Sequence, residues 1–493
     1  MTTFQDLKIF FAKQDFKLII AADAETRIST SEIPAGGVAV SFDPIAQAAG
    51  ATFIARAKTE EERTMPKVTI GERRGSYTLR RLFFTKHELD TYYYGFANQT
   101  LWPICHVAFE RPEFRRDWFE GFKKVNQKFA QAIKEEIKGK TVIWLNDYQL
   151  SLVPRYLGKP KDTIIAMFWH IPWPTWEIFR ILPFKREILE SLLTCDFLAF
   201  HRGYHVRNFL ETASRELEVR IDEETNRVYF DNTTITVQNL PMGIDTNNVK
   251  SLIDKEPDTP SLSRLVGWLI PSHGRKTGIA SFFGKHKVIL GVDRLDYTKG
   301  LLLRLEGIAR FLEKYPKYKE KVVYIGIIAP SRETIPAYAN LRREIDTVAE
   351  RVNTVYARGD WRPINLYYKV FPRGEIINFY RQANLCLVTP RDDGMNLVSK
   401  EFVLAASMAA NPGMLVLSRF AGSAIDLTAA LIVNPYDFEE VADSIKAGLE
   451  MRKDEKIRRI RQMVETLEER NVYAWAKEFV ENAVNAVREK RRR

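Results

Sequence analysis

Cysteine is scarce in this sequence. Cys105, Cys195 and Cys386 stand far apart, are odd in number and form no CxxC pair. That excludes a disulfide framework and a structural zinc site, and it predicts a reducing, cytoplasmic setting. Long apolar runs are lacking too. No stretch of about 18 uncharged apolar residues occurs, so no transmembrane helix is predicted and no membrane partner is expected. The first residues have neither the basic end nor the small-residue cleavage site of a signal peptide, and read as a short amphipathic helix leading into a strand. No GxGxxG follows a strand-like run and no GxxxxGKS/T occurs, which removes support for a dinucleotide oxidoreductase and for a P-loop enzyme. Low-complexity segments and internal repeats are absent.

What is present is a chain of 493 residues, 45% of them apolar, with a formal charge of +11. At ~100–200 residues per domain this calls for two to four domains. The charge fits either a soluble surface rich in Lys or an anionic substrate drawn into a basic cleft. Nucleic acid is not expected as a partner, because the charge is spread out and no recognition motif accompanies it. The terminal REKRRR follows a helical stretch and reads as helix-end charge.

The dominant texture is a short apolar run, a turn, then an amphipathic helix. Leu18–Ala22, Thr141–Leu145, Ile164–Phe168 and Phe197–Phe200 form one series, with an amphipathic stretch from Arg116 to Lys138 among them. After Leu240–Asp245 and a charged, Pro-containing stretch at Lys255–Pro260, a second series begins with Val288–Val292. Leu301, Leu305, Ile308 and Leu312 share one face of its first helix, which Pro316 ends. Val322–Ile328, Leu385–Val388, Met414–Leu417 and Leu431–Val433 continue it. Runs without polar alternation indicate strands buried on both faces of a parallel sheet. The prediction is an α/β protein of two facing Rossmann-like, doubly wound units, with ligands bound beyond the carboxyl ends of the strands.

Four segments at those ends carry chemistry. In Gly291-Val-Asp-Arg-Leu-Asp-Tyr-Thr-Lys-Gly300, Arg294 and Lys299 supply two cations suited to a diphosphate leaving group; a surface ion pair of Arg294 with Asp293 or Asp296 is the plainer alternative. In Thr389-Pro-Arg-Asp-Asp-Gly-Met-Asn-Leu-Val-Ser-Lys-Glu401, a strand runs through a turn into a helix whose first amides can hold phosphate or sugar oxygens. There Asp393 suits sugar hydroxyls and Glu401 a ribose, while Asp392 or Asp393 can equally serve as a helix cap. Asp147 and His170 each follow a strand and are candidates to meet at one end of the sheet. Pro34-Ala-Gly-Gly-Val38 permits close backbone approach to a ligand.

Taken together, these segments resemble the trehalose-6-phosphate synthase family. Tyr92-Tyr-Tyr-Gly-Phe-Ala-Asn-Gln-Thr-Leu-Trp-Pro103, Glu177–Pro183, Phe420-Ala-Gly422 and Ala430–Pro435 extend the match, in order, over nearly the whole chain. The resemblance implies the GT-B fold, divided as an acceptor-side domain over 1–247, a nucleotide-sugar domain over 248–465 and a final helix over 466–493 returning to the first domain. It implies retaining transfer of glucose from UDP-glucose, or a related donor, to glucose 6-phosphate, with no cofactor and no metal. Only small-molecule partners are implied, and a homo-oligomer is left open.

Family roles carry over by position. Arg294 and Lys299 hold the donor diphosphate. Asp393 and the backbone through Met395, Asn396, Leu397 and Val398 hold the glucose and phosphates, and Glu401 holds the ribose. His170 contacts the donor glucose, and Gly36 and Gly37 close over the diphosphate. Asp147, Tyr93, Trp102, Arg332 and Arg27 serve the acceptor, with Arg332 and Arg27 as phosphate grips.

The acceptor half departs from the family pattern. Ala22–Ile28 lacks the usual Asn-Arg, and Arg56 stands where an acceptor-side Trp is expected. Asn146-Asp-Tyr-Gln149 replaces His-Asp-Tyr-His; in the donor half, which is nearly intact, Arg391-Asp-Asp-Gly394 replaces Leu-Arg-Asp-Gly. The alternatives are therefore a glucosylglycerol-phosphate synthase acting on glycerol 3-phosphate, a pseudo-glycosyltransferase, or a sugar-phosphate-binding regulator without catalysis.

Overall fold

A computed structural model provides the structure of the protein, and the residues it describes are 1–25, 38–71, 75–107, 110–255 and 286–492. Arg27, Gly36 and Gly37 lie outside the described residues, as do residues 256–260 of the Pro-containing stretch.

The chain divides into two units. The first comprises Met1–Gly243 and Arg470–Arg493, the second Ile244–Glu469. In the first unit the strands are β1 (Lys17–Ala24), β2 (Thr52–Arg56), β3 (Lys67–Ile70), β4 (Tyr77–Leu82), β5 (Thr141–Asn146), β6 (Thr163–Trp169), β7 (Phe197–Phe200), β8 (Arg220–Asp222), β9 (Arg227–Phe230) and β10 (Thr233–Asn239). They form one ten-stranded sheet in the order β3-β4-β2-β1-β5-β6-β7-β10-β9-β8. Pairing is parallel from β4 through β10 and antiparallel only at the two edges. β5 is buried along its whole length, as a strand covered on both faces must be. The edge pair β3 and β4 instead alternates polar and apolar residues, so it carries no continuous apolar run to announce it.

The helix Arg116–Glu136 buries Trp118, Phe119, Phe122, Val125, Phe129 and Ile133 at helical spacing. The last helix, Val472–Arg492, packs on the same sheet. Its Trp475 and Phe479 join Phe42, Trp144 and Phe168 in one core, and the Phe479 ring stacks on Trp144 at 4.1 Å. Trp475 is thus a packing residue.

The second unit's strands are β11 (Lys287–Arg294), β12 (Val322–Ala329), β13 (Ile364–Tyr367), β14 (Leu385–Val388), β15 (Met414–Ser418) and β16 (Leu431–Val433). All pair in parallel, in the order β13-β12-β11-β14-β15-β16. Counted from β11 this is the 3-2-1-4-5-6 order of doubly wound nucleotide-binding sheets, whose direction of winding reverses between the first and fourth strands. In this unit the reversal falls between β11 and β14, the two strands that lead into the Gly291–Gly300 and Thr389–Glu401 segments. No helix among the described residues is long and apolar enough to cross a membrane.

Candidate active site

The two motifs of the second unit meet at that reversal. After β11 the chain makes a short turn at Tyr297–Lys299, and Gly300 adopts φ +63° before the helix Leu301–Lys314 begins. A Cβ at Gly300 would lie 2.2 Å from the Thr389 carbonyl oxygen, so only glycine lets the loops after β11 and β14 touch. The Arg391 amide then donates to the Thr298 carbonyl at 2.8 Å.

Beneath them lies Arg304, fully buried. It donates to Asp293 at 2.6 Å, to the Thr389 hydroxyl at 2.9 Å and to the Lys299 carbonyl at 3.4 Å. Burial alone would lower its pKa, but the Asp293 carboxylate more than reverses this and holds the charge in place. A Cβ at Gly291 would collide with this guanidinium, at 2.5 Å, and with the Tyr324 hydroxyl.

Above that base the Lys299 ammonium donates to Asp393 Oδ2 at 2.5 Å, and Asn396 Nδ2 donates to the same oxygen at 3.0 Å. Asn396, at φ 77°, caps the helix Leu397–Ser407 by accepting from the Ser399 amide; the cap is therefore neither Asp392 nor Asp393, and Asp393 stays turned toward Lys299. Met395, Leu397 and Val398 flank this cap. Glu401, one turn further, is buried and accepts from Arg373 at 2.8 Å; Arg373 also donates to Asn248.

Arg294 ends β11, is half exposed, and lies 3.7 Å from Asp296 Oδ2. Arg332 follows β12, is buried, and reaches the same oxygen at 3.4 Å. Burial would raise the Asp296 carboxyl pKa, but Arg332, Arg294 and Lys299 outweigh it and hold it below the ordinary value. Of the cations expected for donor and acceptor phosphates, Arg294, Lys299 and Arg332 thus belong to one unit, while Arg27 lies outside the described residues.

In the first unit, Asp147 and His170 do meet. Asp147, at φ 72°, follows β5, and its Oδ1 accepts from the backbone amides of Tyr148 at 2.9 Å and His170 at 3.0 Å. The contact runs through the His170 backbone and leaves the imidazole turned to Asn146 Oδ1 at 3.5 Å. Burial lowers the His170 pKa from 6.5 to about 3, so the ring is neutral at physiological pH.

Arg56, at the end of β2, is not a loose cation. It grips Asp23 bidentately, at 3.1 and 2.9 Å, and its guanidinium lies 4.9 Å from the centre of the Tyr93 ring. The Tyr92 hydroxyl donates to the same carboxylate at 3.1 Å. Tyr92 and Tyr93 lie on a π-helix, Asp90–Leu101, a rare form that gathers at functional sites. Trp102 follows it, buried, with the His106 ring 4.0 Å away.

Comparison with known proteins bears on this arrangement. The model of glycosyltransferase family 20 matches residues 12–485. The chain belongs to glycosyltransferase family 20. The bifunctional trehalose-6-phosphate synthase/phosphatase of Thermoproteus tenax is 32% identical over 419 residues, which are 85% of this chain and 55% of that protein. The chain therefore spans about half the length of that curated relative. A solved structure described as trehalose-6-phosphate from E. coli bound with UDP-2-fluoro glucose superposes with a TM-score of 0.84 at 31% identity, over 95% of this chain and 98% of that one. An alpha,alpha-trehalose-phosphate synthase (UDP-forming) from Burkholderia xenovorans, solved with glucose-6-phosphate, gives 0.82 at 30% identity, over 95% and 99%. The fold is thus that of the GT-B enzymes, and this family 20 member is a transferase.

Several residues that hold the candidate site together carry little or no local signal in the sequence. Asp23 was signalled only by an acidic residue just past an apolar run. Arg304 is one arginine among many in a helix. Arg373 lies far from Glu401 in the chain, and nothing local marks their pairing.

Proposed function

We propose that this protein transfers glucose from UDP-glucose to glucose 6-phosphate, forming trehalose 6-phosphate with retention at the anomeric carbon. The observation that carries the reading is the charge arrangement between β11 and β14: Lys299 held by Asp393, with Arg294 half exposed beside it. That suits a diphosphate at the point where a doubly wound sheet takes its ligand. The names of the relatives and the ligands in their structures support the same donor and acceptor.

In this reading Arg294 and Lys299 hold the diphosphate. Asp393 and the backbone from Met395 to Val398 hold the glucose and phosphates, and Glu401 holds the ribose. Neutral His170 offers a hydrogen bond to the donor glucose without protonating it. Tyr93, Trp102, Asp147 and Arg332 serve the acceptor. The bond from the anomeric carbon to the diphosphate oxygen breaks, and its electron pair leaves on that oxygen. The acceptor hydroxyl oxygen bonds to the anomeric carbon on the same face, and its proton passes to the departing diphosphate. No side chain attacks the sugar and no metal is called for; positioning and charge stabilisation do the work.

One observation favours a second reading. Where the family pattern has an acceptor-side Trp, Arg56 is clamped to Asp23, which replaces a flat apolar platform with hydrogen-bond donors. Glycerol 3-phosphate is then the alternative acceptor. Release of UDP from UDP-glucose, with chelator present and either glucose 6-phosphate or glycerol 3-phosphate as acceptor, decides between them. Turnover with glucose 6-phosphate alone supports the first reading and turnover with glycerol 3-phosphate alone the second. Release with neither overturns both, and release that chelator abolishes overturns the metal-free step.

A further inference from the structure

We propose that Asp296 is a positioning residue for two substrates at once, the shared counter-ion of the donor grip Arg294 and the acceptor grip Arg332. The inference rests on the roles given to those arginines above. Asp296 is completely buried in the turn after β11. Its Oδ1 is fixed by the Thr298 amide at 3.1 Å and the Thr298 hydroxyl at 2.9 Å. Its Oδ2 faces Arg332 at 3.4 Å and Arg294 at 3.7 Å. One carboxylate oxygen thus serves guanidinium groups that reach it from the carboxyl ends of two adjacent strands, β11 and β12.

The two arginines are held differently. Arg332 is buried and has a second anchor, donating to the Tyr338 hydroxyl at 2.7 Å. Its backbone sits at φ 52°, a conformation a non-glycine residue keeps only where its surroundings over-determine it. Arg294 is half exposed and more loosely placed. A purely structural buried carboxylate is satisfied by one close, well-aligned cation; here it sits between two at longer range, and each cation is itself aimed by the shared partner. Removing that partner takes one hold from each.

The test is steady-state kinetics of the full-length protein with UDP-glucose and glucose 6-phosphate each varied. Asp296→Asn should raise both KM values by roughly 10-fold or more, the loss for one charged hydrogen bond on each side. Arg294→Ala should act on the donor side alone, and Arg332→Ala and Tyr338→Phe on the acceptor KM alone. A merely structural role lowers the amount of active protein, which reduces rate without moving either KM. If Asp296→Asn does not fold, Thr298→Ala, which removes the hydroxyl that donates to Oδ1 and keeps the backbone amide there, should raise both KM values by about 3-fold. The proposal is overturned if the arginine variants behave as assigned while the Asp296 and Thr298 variants shift one KM or neither. If the arginine variants themselves leave their assigned substrates unaffected, the underlying reading fails, and this inference with it.

Discussion

The Lys299 ammonium and the Asp393 carboxylate stand 2.5 Å apart, each largely buried, and so tie the loop after β11 to the loop after β14. Truncating Lys299 leaves Asp393 with Asn396 as its hydrogen-bond donor in a low-dielectric setting. Lys299→Ala should therefore destabilise the second unit more than Lys299→Ala made in an Asp393→Asn background. The coupling expected from a double-mutant cycle in denaturant is about 1–3 kcal/mol. An additive cycle would show the pair to be incidental.

Arg294 is half exposed, so its loss should spare the fold. Arg294→Ala is expected to lower kcat by roughly 10²–10³-fold, the usual effect of removing one donor that stabilises developing charge. Wild-type turnover in this variant would end its role at the leaving group.

Arg56 gives a separate handle on acceptor choice. Because Asp23 compensates its charge, Arg56 is a fixed hydrogen-bond donor and not a bare anion site. Arg56→Ala should raise the acceptor KM by about 10-fold and leave the UDP-glucose KM unchanged. Equal changes in both would place Arg56 outside acceptor recognition.

Stability should fall in mild acid. Burial lowers the pKa of His170 from 6.5 to about 3, and burial with help from Arg202 and His106 does the same for His205. Between those values the unfolded chain binds protons that the folded chain refuses, so stability is complete above pH 6.5 and declines below it. From pH 6.5 to 5 the loss comes to about 2 kcal/mol per histidine. Denaturant unfolding of the first unit at pH 7 and pH 5 measures it, and His205→Leu should remove that residue's share. A flat profile would contradict the burial of both rings.

Gly300 joins a left-handed backbone to a contact that leaves no space for a Cβ. Gly300→Ala should cost at least about 2 kcal/mol and weaken UDP binding in parallel. Calorimetric binding of UDP at wild-type strength would mean that the loops after β11 and β14 need not touch.

The strands buried on both faces were plain in the sequence, because β1, β5, β6, β7, β11, β12, β14, β15 and β16 are unbroken apolar runs. β2, the edge strands β3 and β4, the short β8, β9 and β13, and the Thr-rich β10 were not, since strands that are short or half polar resemble loops. Among the site residues, those carried on one motif were legible: Arg294, Lys299 and Asp393 needed only strand–turn–helix punctuation. What local pattern does not hold is partnership. That Asp23 compensates Arg56, that Arg373 neutralises Glu401, or that Arg332 shares an oxygen with Arg294 depends on which strand ends the sheet order brings together. Capping also deceived: two aspartates looked like helix caps, and the asparagine after them took the role by adopting a left-handed conformation.

The helix Val472–Arg492 has a bearing on how the molecule is made. Its Trp475 and Phe479 complete a core whose other walls, Trp144 and Phe168, come from strands laid down far earlier in the chain. On a ribosome those walls emerge first and must wait while every residue of the second unit is added, roughly ten seconds or more at ordinary elongation rates. Throughout that interval the nascent first sheet presents an uncovered aromatic face. The second unit, continuous in sequence, can close before it. Biosynthesis thus inverts the order of the domains: the one begun first is finished last.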